Sequence, residues 1–319
     1  YLLDARARRL SPRTITGYHR SLRRLETFLE TDPPLSEITH GDIREFLNYM
    51  GETTIPSGGV SPGRPITLSK RTIKNIHTGL SALWTWAVKE GIVDAHVVRA
   101  VKPPRPEEPA IEPFTREEVE AILAACERSD PYTRPGKAEC SNARETAVRD
   151  RAIILLLVDS GIRVGELADN PRYKSEGLRI HDLNRRTNSV RVFGKRDKER
   201  FVRVSHRTMK SIWRYLTSRP DAVPEEPLFL NRFGAPITTS GVWQLIKSLG
   251  ESANVPNAHP HRFRHTFATN FLRNGGTPLE LQEMMGHTTL EMVRKYVKIA
   301  QVDLDKAHRR ASPVANWNL

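Results

Sequence analysis

Cysteine and long apolar runs are both scarce in this sequence, and each shortage narrows the class of protein. Two cysteines, Cys126 and Cys140, occur in 319 residues, so a disulfide framework is not expected and a reducing cytoplasm is the expected compartment. Neither cysteine has histidine or cysteine neighbours at ligand spacing, which argues against a structural zinc site. The longest apolar run, residues 153–158, is too short to span a bilayer, so no membrane partner is expected.

Acidic residues are outnumbered, because 50 Lys and Arg stand against 37 Asp and Glu and give a formal net charge of +13. This balance favours a polyanionic partner. Nucleic acid is the leading candidate, because basic side chains that neutralise phosphates release condensed counterions. The chain is also longer than a single core usually allows, so two domains are expected. No signal-peptide pattern opens it, and a start at Tyr1 rather than Met indicates a trimmed sequence.

Helical periodicity and basic outer faces dominate residues 1–100, which we predict to form a helical DNA-binding bundle. Ser11 followed by Pro12 is a helix-start signal, and two further helices are predicted over residues 41–50 and 69–91. The predicted contacts to the duplex backbone lie on the outer faces of the first and third helices and are Arg13, Arg20, Arg24, Lys70, Arg71, Lys74 and His77. An ordinary solvated face is the alternative.

Proline marks the boundary between the two predicted domains. Residues 101–113 contain five prolines, which disfavour helix and strand and favour an extended interdomain linker. The second domain is predicted to span residues 114–319 and to open with a capping box formed by Thr115 and Glu118.

The second domain carries the one convincing β signal in the sequence. Residues 189–194 and 200–205 alternate apolar and polar side chains around a charged turn, which predicts an antiparallel hairpin. Residues 228–230 are a candidate for an added strand. A strongly apolar helix ends at Ser160 and Gly161, and several helices follow the hairpin. The expected fold is therefore mainly α with a small antiparallel β-sheet.

Two imidazoles, a guanidinium and a phenol are gathered within residues 261–296. His261 and Arg264 are three apart in a predicted helix and should project from one face. His287 follows a glycine at a predicted helix end, and Tyr296 stands on the last helix. A guanidinium matches two phosphate oxygens, imidazoles exchange protons near neutral pH, and a phenol oxygen can attack phosphorus. Taken singly, each of these residues has an ordinary structural explanation.

Two upstream segments extend this set. Arg163 emerges just beyond the buried helix, and Glu166, three residues on, can orient it. Lys195 stands at the tip of the charged hairpin, where an exposed side chain can reach a ligand. Alone, a buried Arg–Glu pair and a solvated turn would be the default explanations.

The combined order and spacing resemble the catalytic signature of tyrosine recombinases, the phage integrase and Xer family. The residues that carry the resemblance are Arg163 in SGIRVGEL, Lys195 in FGKRDKER, His261 and Arg264 in HPHRFRHTFAT, His287 in MMGH, and Tyr296. The resemblance covers the whole chain and implies a helical core-binding, SAM-like domain followed by a mixed α+β catalytic domain. Ile162 and Phe263 stand where leucine is usual, and insertions at residues 52–65, 130–142 and 170–177 leave the chemistry untouched.

The same resemblance implies a mechanism. Tyr296 would attack the scissile phosphate, giving a 3′-phosphotyrosine and a free 5′-hydroxyl that can reverse the step. Arg163 and Arg264 would hold the non-bridging oxygens and stabilise charge on the transition state. Lys195 would protonate the leaving 5′-oxygen.

The remaining residues are given supporting roles. His261 would be the general base or a phosphate donor, and His287 would add a phosphate hydrogen bond. Glu166 would orient the first arginine, whereas His265 is either a supporting residue or a core histidine. No metal or other cofactor is expected, since two guanidiniums serve the phosphate and no carboxylate cluster is evident.

The resemblance also implies partners. We expect double-stranded DNA with an inverted-repeat core site and a homo-oligomer, dimer to tetramer, assembled through the tail at residues 299–317. The protein would associate with the nucleoid when bound to DNA. A type IB topoisomerase and a non-catalytic DNA-binding regulator of the same fold are the alternatives. No further domain is visible before the helical bundle, which favours a two-domain Xer-like or mobile-element enzyme. Integration, transposition and dimer resolution all remain open.

Overall fold

The computed structural model describes residues 1–55, 66–107, 112–129, 140–194 and 199–300, together with positions 308, 312 and 314. The chain divides into two compact units, Tyr1–Ala110 and Ile111–Leu319, and each has its own hydrophobic core. The predicted general acid, Lys195, and most of the predicted tail lie outside the described residues. Among the residues that are described, no helix is long and apolar enough to cross a membrane.

The N-terminal unit is a small helical bundle. Its helices are α1 (Leu2–Ala7), α2 (Pro12–Leu29), α3 (His40–Glu52) and α4 (Lys70–Lys89), with a 3-10 turn at Val97–Ala100. The predicted start of α2 is confirmed, because the Ser11 hydroxyl accepts the backbone N–H of Thr14 at 3.1 Å. Phe46, Leu80 and Trp84 are fully buried between the helices and form the centre of the core.

Two features of this unit were not predicted. Helix α1 precedes the first predicted helix. Strands β1 (Thr54–Ile55) and β2 (Ile66–Thr67) form a short antiparallel pair on either side of residues 56–65, which lie outside the described part of the chain.

The C-terminal unit contains eight described helices and a three-stranded antiparallel sheet. The helices are α5 (Arg116–Ala125), α6 (Ala147–Ser160), α7 (Val164–Leu167), α8 (His206–Leu216), α9 (Thr239–Ser252), α10 (Pro260–Arg273), α11 (Pro278–Met285) and α12 (Glu291–Ala300). The strands are β3 (Leu183–Asn184), β4 (Ser189–Phe193) and β5 (Glu199–Arg203), in the order β3-β4-β5. The predicted fold class, mainly α with a small antiparallel sheet, is confirmed.

The predicted hairpin is confirmed, and its register determines which side chains face the core. Val190 pairs with Val202, and both valines are fully buried. Since side chains alternate along a strand, Arg200 lies on the same inward face of β5 as Val202. The candidate strand at residues 228–230 is wrong. An isolated bridge joins Arg179 to Pro227 just before this segment, another joins Leu230 at its end to Pro236, and neither extends into a ladder.

Helix α6 ends so that the next residues enter the candidate site. Gly161 caps the helix in the left-handed region, with φ of 60°. A β-carbon at this position would lie 2.4 Å from Cδ1 of Phe267, so the close packing of α6 against α10 requires glycine. The chain then reaches Arg163 in extended conformation at the start of α7.

Helix α10 is fastened at its first turn by Arg262. This guanidinium donates to both carboxylate oxygens of Glu118, at 2.9 and 2.8 Å, and lies 4.1 Å from the centroid of the Phe114 ring. It also donates to the carbonyls of Glu112 and Pro256. Arg262 thus ties the first described residues of the C-terminal unit to α10.

Candidate active site

Arg163 and Arg200 share one buried carboxylate, that of Glu166. Arg163 donates to it from the backbone N–H at 2.8 Å and from Nη1 at 3.0 Å. Arg200 donates from Nη1 and Nη2 at 2.9 and 2.8 Å, which is a two-pronged pair. Burial alone would raise the pKa of Glu166, but the hydrogen bonds and charges of Arg200 and Arg163 hold that pKa below its usual range. Glu166 is therefore ionised, and it is hydrogen-bonded to both Arg163 and Arg200.

Arg264 lies at the centre of the site and is almost fully buried. Its Nη1 donates to the carbonyl of Gly161, and its Nη2 donates to the carbonyl of Met285 at 2.7 Å and to Nε2 of His287 at 3.0 Å. Burial, with Arg163 nearby, lowers the pKa of Arg264 to about 10, so the side chain stays charged at neutral pH.

His287 is held in one protonation state by this arrangement. Burial, followed by the charge of Arg264, lowers the pKa of His287 to about 4, so the ring is neutral at physiological pH. Because Nε2 accepts a hydrogen bond from Arg264, the proton is on Nδ1. That Nδ1 is buried and has no partner among the described groups. The ring can therefore donate one hydrogen bond to a ligand.

Tyr296 is buried, with 2% of its surface exposed. Its hydroxyl lies 2.9 Å from Nδ1 of His265. The ring of His287 stacks almost parallel to it, with 6.4 Å between centroids and 6° between planes. Burial, with Lys295 nearby, lowers the pKa of His265 to about 4, and burial raises the pKa of Tyr296. A neutral imidazole therefore accepts the hydrogen bond that the neutral phenol donates.

His261 is at the exposed N-terminal end of α10 and has no hydrogen bond to any described side chain of the site. Partial burial of the ring, with His259 and Arg264 nearby, lowers its pKa. Arg163 contributes to the same lowering of the His261 pKa. The family resemblance implied that His261 is the general base or a phosphate donor, whereas the hydrogen bond to the phenol of Tyr296 is made by His265.

The side chains predicted to contact DNA in the N-terminal unit differ in their exposure and in the bonds that they make within the fold. Exposed side chains are those of Arg13, Arg20, Lys70, Arg71 and Lys74. Lys70 pairs with Glu107 at 2.9 Å. Arg24 is half-buried, and burial with Arg20 nearby lowers its pKa. Nε2 of His77 hydrogen-bonds to the carbonyls of Val98 and Val101 at 3.1 and 2.8 Å, so this nitrogen is occupied within the fold.

Arg200 was not singled out by sequence. It stood within the predicted charged hairpin, where arginine is unremarkable. The available signal was its position in the alternation, because it shares the inward face of β5 with buried Val202 and stands opposite buried Val192 of β4. The described residues contain no group of three or more His, Cys, Asp or Glu side chains arranged to hold a metal ion.

Comparison with known proteins decides the family. The sequence profile described as "Phage integrase family" matches residues 112–302, which is more than half of the chain. The profile "Phage integrase, N-terminal SAM-like domain" matches residues 2–94. The chain belongs to the phage integrase family. It is a site-specific tyrosine recombinase.

Curated relatives match this recombinase over almost its full length. It is 27% identical to tyrosine recombinase XerC of Lactobacillus delbrueckii subsp. bulgaricus, covering 98% of this chain and 96% of the relative. It is also 27% identical to tyrosine recombinase XerD of Mycobacterium tuberculosis, covering 97% of this chain and 94% of that protein.

Solved structures show that the recombinase has the integrase fold. The Tn1549 transposon integrase, solved in complex with transposon right end DNA, has a TM-score of 0.72 at 19% identity over 95% of this chain and 96% of that one. A lambda integrase dimer bound to a core site has a TM-score of 0.67 at 17% identity, covering 93% of this chain and 92% of that one.

Proposed function

We propose that this recombinase cleaves and rejoins duplex DNA through a covalent bond between Tyr296 and a 3′-phosphate. One observation carries the proposal: a phenol, paired with a neutral imidazole, shares a buried centre with two phosphate-binding arginines. The hydroxyl of Tyr296 is bonded to His265, while Arg264 and Arg163 act on the pKa of that same hydroxyl. A nucleophile, a proton acceptor and fixed positive charge are the parts that phosphoryl transfer needs.

The scissile phosphate would bind between the two guanidiniums. Two backbone carbonyls hold Arg264 in place, so the guanidinium does not have to reorient when the substrate binds. Arg163 makes one side-chain hydrogen bond among the described residues, through Nη1, and its remaining N–H groups can face the phosphate. The Nδ1–H of His287 would supply a third donor and find the partner that it lacks in the free protein.

The bond changes balance without a metal ion or an external reagent. A bond forms between the phenolic oxygen and phosphorus, and the bond from phosphorus to the 5′-oxygen breaks. The phenolic proton passes to Nδ1 of His265, the acceptor at hydrogen-bond distance. The leaving 5′-oxygen takes a proton from Lys195, as the family resemblance implies. Reversal by a 5′-hydroxyl of another strand completes recombination.

Duplex DNA and further copies of the chain are the proposed partners. The Tn1549 integrase and the lambda integrase dimer were both solved on DNA, and this chain shares their fold. The exposed basic side chains of α2 and α4 support a backbone contact by the N-terminal unit. We retain the tail at residues 299–317 as the proposed contact between copies on an inverted-repeat site.

A covalent-trapping assay tests the proposal. The substrate is a labelled duplex carrying an inverted-repeat site found by searching the DNA around the gene, nicked so that the cleaved strand diffuses away. Wild-type protein should form a covalent adduct that survives denaturation, and Tyr296→Phe should bind the DNA without forming it. Tyr49→Phe, which alters an exposed tyrosine of α3, should form the adduct normally. An adduct with Tyr296→Phe would overturn the assignment of the nucleophile.

A further inference from the structure

The C-terminal end of α11 presents His287 to the site, and its backbone shows how it is held. Four carbonyls at the end of any α-helix lack partners within the helix. At the end of α11, the N–H groups of Gly286 and His287 bond to the carbonyls of Gln282 and Glu283. This is the glycine-capped ending expected when the residue after the helix is left-handed, and φ of Gly286 is 61°.

The last two carbonyls of α11 are capped by arginine side chains. The carbonyl of Met284 accepts from Nε of Arg200 at 3.1 Å, and the carbonyl of Met285 accepts from Nη2 of Arg264 at 2.7 Å. Two cations at the negative end of a helix also suit its dipole. Every carbonyl of this helix end is thus satisfied, and half of them depend on guanidiniums from other elements.

Arg200 uses its remaining nitrogens on Glu166. Nη1 and Nη2 bond to the two carboxylate oxygens, and the side chain is 14% exposed. All three nitrogens of one guanidinium are therefore engaged, two on the carboxylate that orients Arg163 and one on the helix end that presents His287. The tip of this side chain also lies against Gly286, where an added β-carbon would approach Nη1 to 3.1 Å.

We propose that Arg200 is a positioning residue for strand cleavage, a role that rests on the proposed function above. It fixes the end of α11 and holds both oxygens of Glu166. Because Arg200 engages that carboxylate from one side, Arg163 is limited to a single side-chain bond and keeps its other N–H groups for the phosphate. Without Arg200, the buried carboxylate would retain one cation, and Arg163 would pair with it fully.

Single-turnover cleavage at saturating DNA tests this role. Arg200→Met should lower the cleavage rate constant by roughly 10- to 100-fold, the range seen when groups that orient the ligands of a reactive centre are removed. The dissociation constant for DNA should change by less than about threefold, since the proposal assigns Arg200 no DNA contact. A merely structural role would lower the fraction of active protein and leave the rate constant of that fraction unchanged. The cleavage rate constant of Arg200→Lys should lie between those of wild type and Arg200→Met, because an ammonium keeps the positive charge but cannot donate to both carboxylate oxygens in the planar geometry of a guanidinium.

Two controls accompany these variants. Arg203→Met alters an exposed arginine on the same strand that donates to the carbonyl of Thr187, and it should cleave at the wild-type rate. Arg200→Met should lower the cleavage rate constant by a much smaller factor in a Glu166→Gln background than in the wild-type protein, because much of its effect depends on the Glu166 carboxylate. A wild-type rate constant for Arg200→Met, or an equal fold-loss in both backgrounds, would overturn the proposal.

The melting temperatures of the DNA-free variants separate this proposal from the proposed function. If wild-type protein forms no adduct on its verified site, the proposed function fails. The shared carboxylate still predicts that the shifts in melting temperature of Arg200→Met and Glu166→Gln do not add in the double variant. Additive shifts would remove the physical basis for the role of Arg200, whatever the outcome of the trapping assay.

Discussion

The hydroxyl of Tyr296 is bonded to Nδ1 of His265 at 2.9 Å, although the two residues are 31 positions apart in the chain. His265 follows directly after Arg264 on α10, so the same helix turn carries the guanidinium proposed to bind phosphate and the hydrogen-bond partner of the proposed nucleophile. The base proposed for Tyr296 and its charge-stabilising group are therefore fixed relative to each other.

Replacing His265 with asparagine should separate hydrogen bonding from proton transfer. The amide oxygen of asparagine can occupy the position of Nδ1 and accept the bond from Tyr296, but it cannot take the proton. We expect His265→Asn to remain folded and to bind DNA, with cleavage slowed by about 10²- to 10⁴-fold, the usual contribution of a general base. His206→Asn, at the exposed start of α8, is the matched control. A wild-type rate for His265→Asn would assign the phenolic proton to another acceptor.

Gly161→Ala should damage both stability and cleavage. The residue is left-handed, and an added β-carbon would collide with the buried ring of Phe267 on α10. We expect a loss of about 1–3 kcal/mol in the free energy of unfolding. Cleavage should slow as well, because the carbonyl of Gly161 holds Arg264.

Denaturant unfolding measures the stability effect, and Gly165→Ala is the control. No atom lies within 4 Å of the β-carbon that alanine would add at Gly165. Alanine there should be neutral or stabilising by up to about 1 kcal/mol, as expected within a helix. Equal losses from both substitutions would show that the left-handed backbone at Gly161 is not the cause.

Stability should fall in mildly acidic solution because His265 and His287 are neutral in the fold. Their pKa values are lowered to about 4 from an ordinary 6.5, so the unfolded chain binds protons first as the pH drops. The contribution of the neutral rings to the free energy of unfolding is complete above pH 6.5 and is lost as the pH falls toward 4. Melting temperatures recorded across this window should decline, and the decline should be shallower for a variant with His265→Asn and His287→Gln. An unchanged slope in that variant would exclude these two rings.

The salt dependence of DNA binding should test the proposed contacts of α4 with the DNA backbone. Each phosphate contact contributes about −0.9 to the slope of log K against log salt concentration. Lys74→Gln should therefore make the slope shallower by about one contact and weaken binding to all sequences alike. Lys89→Gln, at the exposed far end of the same helix, should leave the slope unchanged. If both variants bind like wild type, the basic face of α4 is merely solvated.

Local sequence signals predicted the helix starts because the interactions that define them are local. The predicted box at Thr115 and Glu118 is confirmed, with the backbone N–H of Thr115 donating to Glu118 at 2.9 Å and the reciprocal bond at 3.2 Å. Both partners lie within one helical turn, so spacing alone identifies them. The hairpin was predicted for the same reason, since alternation along each strand sets its buried face.

Long-range contacts in the site could not be predicted from such local signals. Arg200 is 34 positions from Glu166 and 84 from Met284, and no spacing rule links these residues. The bond between His265 and Tyr296 has the same character. The family resemblance predicted the set of ionisable residues, but the packing of α10, α11 and α12 determines which of them are bonded to one another.

Helix α10 is held from two sides by arginines at alternate positions. Residues 262 and 264 are separated by about 200° around a helix axis, given 3.6 residues per turn. Arg262 is bound to the Glu118 carboxylate on one side, and Arg264 is bound to the carbonyls of Gly161 and Met285 on the other. Rotation of the helix about its axis would break bonds on both sides at once. His261 and His265 therefore keep a fixed direction around the helix axis. We expect any rearrangement that frees Tyr296 to move α12 along or away from α10.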